Sequence, residues 1–126
     1  MIDDFQFLDD WEDRYMHVID MGKSLPVFPE AHRTDKNKVN GCASQVWLVT
    51  ERQGEVISFQ GDSDAHIVKG LVAIVLEIYS GRTRAEIENL NAQAILEQLG
   101  LSEHLSTQRA NGLASMVARI QAEASV

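Results

Sequence analysis

Between Ile67 and Ile78 the chain is apolar on almost every face, with Ile67, Val68, Leu71, Val72, Ile74, Val75, Leu76 and Ile78. Only a narrow polar stripe through His66, Lys69 and Glu77 interrupts them. A helix with so little polar surface must be covered on several sides, so it predicts a buried central element around which the rest packs. Asp62, Ser63 and Asp64 offer three candidate N-caps for it, and Gly81 a stop just beyond Ser80.

The flanking segments supply the cover. Phe5, Leu8, Trp11, Tyr15, Val18 and Ile19 recur at helical spacing. Asp3 or Asp4 is the expected cap of that helix and Gly22 its left-handed terminator. Pro26 and Pro29 then hold residues 23–30 extended, and a polar stretch from 31 to Gly41 reads as a loop. Gln45 to Thr50 and Val56 to Gln60 read as two strands joined by a short hairpin connection. Thr83 and Glu86 have capping-box spacing for a short helix. Further helices are predicted over Ala92 to Leu99, closed by Gly100, and from Thr107 to Ala124, with Leu113, Met116, Val117 and Ile120 facing inward. At 126 residues the expectation is a single α+β domain over 1–126, a small antiparallel β-sheet packed against several helices.

Charge and cysteine content narrow the function. Nineteen acids against eleven bases give a formal net charge of -8, a surface that repels phosphate backbones and makes nucleic acid a poor partner. One cysteine allows no internal disulfide and no self-contained thiolate metal site. The acidic start Met1-Ile2-Asp3-Asp4 lacks the pattern of a signal peptide, and the apolar run Leu71 to Leu76 is too short to cross a bilayer. A reducing cytoplasm is the expected compartment.

The informative segment is Val39-Asn40-Gly41-Cys42-Ala43-Ser44-Gln45-Val46-Trp47. The thiol follows a glycine at the end of a polar loop, one step before a strand, and its small neighbours Gly41, Ala43 and Ser44 predict an unshielded sulfur. Plain core filling is the alternative for a lone cysteine. A protease-like nucleophile would need a paired histidine and an oxyanion hole, and His17, His32, His66 and His104 are scattered. Arg109, near the start of the last helix and three residues before Gly112, could hold a carboxylate or steady a thiolate, or be a plain surface charge. Gly112 itself predicts close packing or backbone approach. Asp64 and His66 could line a partner-facing surface.

Taken together, four blocks resemble the SufE family of sulfur acceptors: Leu25-Pro26 with Pro29-Glu30; Asn40 to Trp47; Asp62-Ser63-Asp64-Ala65 with Ile67 to Leu71; and His104-Leu105-Ser106 with Arg109 and Asn111-Gly112-Leu113. They run in family order over about residues 15 to 120. Departures are Ala43, where Gln is usual, and Thr107, where Pro is common. The resemblance implies a SufE/IscU-like fold and a partner of a pyridoxal-phosphate (PLP) cysteine desulfurase, of SufS or CsdA type. Cys42 would accept persulfide sulfur and pass it to an iron–sulfur scaffold of SufBCD type. It also implies a Cys42 loop that lies tucked at rest and swings out on docking, with Gly41, Ser44, Gln45, Asp64, His66 and Arg109 at the partner surface. On this reading the chain has no cofactor of its own, PLP belongs to the partner, the covalent intermediate is a Cys42 persulfide, and the carrier is a monomer or weak homodimer rather than a free-standing enzyme.

Overall fold

The computed structural model describes residues 4–5, 7–8, 10–42, 44–101 and 105–125. Expectations resting on Asp3, Ala43 and His104 fall outside them. In chain order the elements are α1 (Trp11–Lys23), a single 3-10 turn (Glu30–His32), β1 (Val46–Gln53), β2 (Val56–Ser63), α2 (His66–Tyr79), β3 (Arg82–Thr83), α3 (Arg84–Asn89), α4 (Ala92–Gln98) and α5 (Thr107–Ala124). The three strands form one antiparallel sheet in the order β1-β2-β3, one strand more than the hairpin expected from sequence.

Helix α2 is the central element, as its composition requires. Ile67, Leu71, Val72, Ile74, Val75, Leu76, Ile78 and Tyr79 are all buried. It packs against α1, the sheet and α5, and each fully buried Leu or Ile there contributes about 1.5–3 kcal/mol over exposure. The α1 crossing is set by two glycines. A Cβ on Gly22 would lie 2.7 Å from the Gly70 nitrogen, and one on Gly70 would overlap the Val18 carbonyl. Gly22 is therefore a helical contact residue and not the left-handed terminator expected; α1 ends at Ser24 in right-handed conformation, and Asp10 caps its start by accepting from the Glu12 amide at 3.1 Å. Gly81 and Gly100 do take positive φ, and the Thr83–Glu86 capping box forms.

The three acidic-stretch caps are also corrected. Asp62 and Ser63 belong to β2, which runs three residues further than its alternation suggested, and α2 starts after Ala65 without a side-chain cap. Pairing explains this: the hairpin register Val46↔Ser63 and Trp47↔Asp62 extends β2 to match the start of β1. Asp62 then has a better use than capping. Its carboxylate is buried, with Arg33 Nη1 2.5 Å from Oδ2 and Lys69 Nζ 3.4 Å from Oδ1. The Arg33 guanidinium also lies over the rings of Phe28 at 5.3 Å and Trp47 at 5.2 Å. This cluster ties the extended segment after α1 to the sheet and α2.

Burial alone would raise the Asp62 carboxyl, but the Arg33 hydrogen bond, the Ser63 amide and the Lys69 charge hold it below the ordinary carboxylate range. A depressed carboxyl contributes stability that is present above its unfolded pKa and lost as pH falls through the folded one. Asp62→Asn should therefore cost about 2 kcal/mol at neutral pH, a value lowered for the partial exposure of both cations. Urea unfolding across pH should show the difference from wild type shrinking toward zero below about pH 4. A difference independent of pH would refute the assignment.

Candidate functional site

The hairpin register decides where Cys42 lies. Because Val46 pairs with Ser63, the residues before β1 and those after β2 leave the sheet side by side. Gln45 and Asp64 clasp there: the Gln45 amide donates to Asp64 Oδ1 at 3.0 Å, and the Asp64 amide donates to the Gln45 carbonyl at 3.3 Å. On the other arm, Val39 donates to the Val46 carbonyl at 2.8 Å and Lys38 forms a bridge with Trp47. Residues 40–45 thus close into a loop with both feet tied and Cys42 near its tip.

That tip rests on α5. Gly41 takes φ +89°, a conformation that disfavours any Cβ, and a Cβ there would also lie 2.5 Å from Ser115 Oγ. The Cys42 Sγ donates a long hydrogen bond to the Gly112 carbonyl at 3.6 Å. Gly112 is the close approach its helix-interior position suggested, since a Cβ there would stand 3.5 Å from the sulfur. The thiol is half-buried rather than unshielded as the small neighbours implied. The cover comes from a helix seventy residues downstream, which loop composition does not report.

Beside the thiol lies a groove of about 310 Å³. Ala65, Ile67, Val68 and Leu71 of the α2 region and Met116 of α5 give it an apolar floor; Ser44, Ser106, Gln108 and Arg109 line it with polar groups. Arg109 therefore shares a groove with Cys42, and among the described residues no carboxylate lies within ion-pairing distance of it. The sequence points to Arg109, Ser44 and Gly112 but not to the floor or to Ser106, the residue that caps α5 through the Arg109 amide at 3.3 Å. A signal for the floor exists in the α5 periodicity, which puts 109, 112 and 116 on one face.

The remaining candidates separate. Gly41 and Gln45 are exposed on the loop, Asp64 is exposed at its foot, and His66 is exposed at the first turn of α2, outside the groove lining. His17 packs edge-on to Phe5 at 4.9 Å and His32 to Phe28 at 6.2 Å. Among the described residues no histidine lines the Cys42 groove, and no three His, Cys, Asp or Glu side chains gather as a metal site would need. No helix among them is long and apolar enough to cross a membrane.

Burial pushes the Cys42 thiol above its ordinary value. Alkylation of the folded protein should accordingly follow a titration with its midpoint above the ~8.5 of a free thiol, falling back in denaturant. A folded-state midpoint below that value would mean that a nearby cation overrides desolvation.

The profile of a family described as "SufE: Fe-S metabolism associated domain" matches residues 1–124. The chain belongs to the SufE family. An uncharacterized SufE-like protein of Rhizobium meliloti (strain 1021) is 59% identical over 98% of this chain and 91% of its own length. Another, from Rhizobium etli, is 61% identical over 100% of this chain and 88% of its own. In fold, the chain is similar to the solution structure of a hypothetical protein from Thermus thermophilus, with a TM-score of 0.79 over 98% of this chain and 90% of that one, at 18% identity. SufE membership places the chain in iron–sulfur metabolism with a sulfur-related role, and the small antiparallel sheet with its helices is the architecture expected of it.

Proposed function

We propose that this SufE-family chain is a sulfur carrier that takes sulfane sulfur from a PLP-dependent cysteine desulfurase onto Cys42, stimulates that enzyme, and delivers the sulfur to iron–sulfur cluster assembly. The observation that carries the reading is the placement of the lone cysteine. Cys42 sits on a short loop tied at both feet, while its tip is held by packing and one long sulfur hydrogen bond. Such a tip can leave its seat at small cost.

The chemistry is an exchange at sulfur. The Cys42 thiolate attacks the outer sulfur of the donor persulfide, a new S–S bond forms, the donor S–S bond breaks, and the donor thiolate leaves. No net oxidation or reduction occurs. The resting thiol, raised by burial, is mostly protonated at neutral pH, so its reactivity waits for transfer to the partner's site. That delay limits oxidation of an otherwise exposed sulfur. PLP serves the desulfurase, and the reducing cytoplasm keeps the acceptor thiol free. With no second cysteine in the chain, no internal thiol can discharge the persulfide as a disulfide.

Arg109 is assigned to the docking side of the groove, where its guanidinium meets a carboxylate or thiolate of the partner. Arg109→Ala should lower desulfurase stimulation about tenfold, the effect of losing one charged hydrogen bond, and leave thermal stability within about 0.5 kcal/mol. Unchanged stimulation would return Arg109 to a plain surface charge.

Desulfurase turnover, read as alanine release with and without this chain, tests the main proposal. Wild type should stimulate and Cys42→Ala should not. Equal stimulation by Cys42→Ala would make the chain a regulatory module with an inert cysteine.

A further inference from the structure

The geometry points to Arg119 as the residue that sets the hinge of the Cys42 loop, fixing the chain up to Val39 so that the turn carrying Cys42 moves from that post. Arg119 lies on α5, a little under two turns beyond Gly112. Its Nη2 donates to the Lys36 carbonyl at 2.8 Å and its Nη1 to the Lys38 carbonyl at 3.1 Å, while Nε is oriented by Glu123 at 2.9 Å. These carbonyls belong to irregular backbone, where no helix or ladder partner would otherwise take them. From the opposite side β1 holds the same segment: Leu48 donates to the Asn37 carbonyl at 2.9 Å and Val39 to the Val46 carbonyl at 2.8 Å.

Residues 36–39 are thus gripped on two sides, and the grip ends abruptly. Past Val39 the chain makes a local turn through Asn40 and Gly41, and among the described residues no backbone hydrogen bond ties Asn40, Gly41, Cys42 or Ser44 to a strand or helix. The two-sided grip thus ends at Val39, and the turn beyond it carries Cys42. Three residues from Val39 to Cys42 span at most about 10 Å, which bounds the thiol's reach from its fixed post. The β1 contact alone is a short edge pairing, and the forked guanidinium reinforces it in a way that a lysine, a single point charge, could only partly reproduce. Arg119 is a positioning residue acting through the backbone and does not touch the sulfur.

The purpose of this hinge rests on the carrier reading, but its test does not. The alkylation rate of Cys42 by iodoacetamide at fixed pH should rise roughly tenfold in Arg119→Gln, the factor expected from about one net hydrogen bond's loss of restraint. Arg119→Lys should fall between. Arg52→Ala removes another guanidinium that binds the end of α5, at the Glu123 carbonyl, and should leave the rate unchanged. In the wild-type protein, hydrogen exchange should find the Val39 and Leu48 amides protected and those of Gly41 and Ser44 open. Equal rates in wild type and both Arg119 variants, equal acceleration by Arg52→Ala, or uniform protection across Val39 to Ser44 would each overturn the inference. Faster alkylation in a chain that accepts no sulfur would keep the hinge and sink the carrier instead.

Discussion

Cys42→Ser is expected to abolish sulfur acceptance altogether while leaving the fold unchanged. The substitution exchanges one small, half-buried side chain for another, and the hydroxyl can still donate to the Gly112 carbonyl that now receives the thiol. Thermal unfolding should therefore move by less than about 1 kcal/mol equivalent. Chemistry is another matter, because a serine oxygen at neutral pH is no nucleophile toward a persulfide and no stable oxygen–sulfur adduct replaces the S–S bond. Radiolabelled cysteine fed to a desulfurase should label the wild-type chain and leave Cys42→Ser blank. Pulldown of the desulfurase should be nearly equal for the two. Label retained by the serine variant would remove Cys42 from the mechanism.

The largest expected loss of stability comes from a residue far from the sulfur. Gly70→Ala adds one methyl group to α2, which on helix propensity alone would gain about 1 kcal/mol. Packing reverses the sign. The new methyl would overlap the Val18 carbonyl oxygen and stand 2.6 Å from Val18 Cγ1, and the opposing Gly22 leaves no side chain that could yield instead. Backbone cannot rotate out of the way, so α1 must lift off α2 as a body and expose the surface buried around Val18. We expect a loss of more than about 3 kcal/mol, at or beyond the usual range for overpacking. Urea denaturation measures it, and Gly22→Ala should act in the same direction. Stability within about 0.5 kcal/mol of wild type would mean that the two helices do not approach this closely.

Those two glycines also mark what the sequence does and does not disclose. The central helix is legible because a nearly continuous apolar surface has one fate, burial, and the last helix because its inward positions keep a 3.6-residue period. Gly22 misleads because a glycine at a helix end and a glycine at a helix crossing look alike until the partner, 48 positions away, is known. Asp62 reads as a cap because Asp-Ser-Asp before an apolar helix is a local signal. What decides its role is the strand register and Arg33, both non-local. At the site, the chemistry-bearing cysteine and Arg109 are readable from type and motif. The cover over the thiol, the apolar floor and the Arg119 fork are not, since α5 meets the loop only after the whole chain has folded.

The most direct test of the carrier reading is a peptide map. Wild-type protein incubated with a PLP-dependent cysteine desulfurase and cysteine, then digested without reductant, should carry one extra sulfur atom on the peptide containing Cys42, and dithiothreitol should remove it. A desulfurase that turns over cysteine and bears its own persulfide, beside a Cys42 peptide that stays unmodified, would contradict the account.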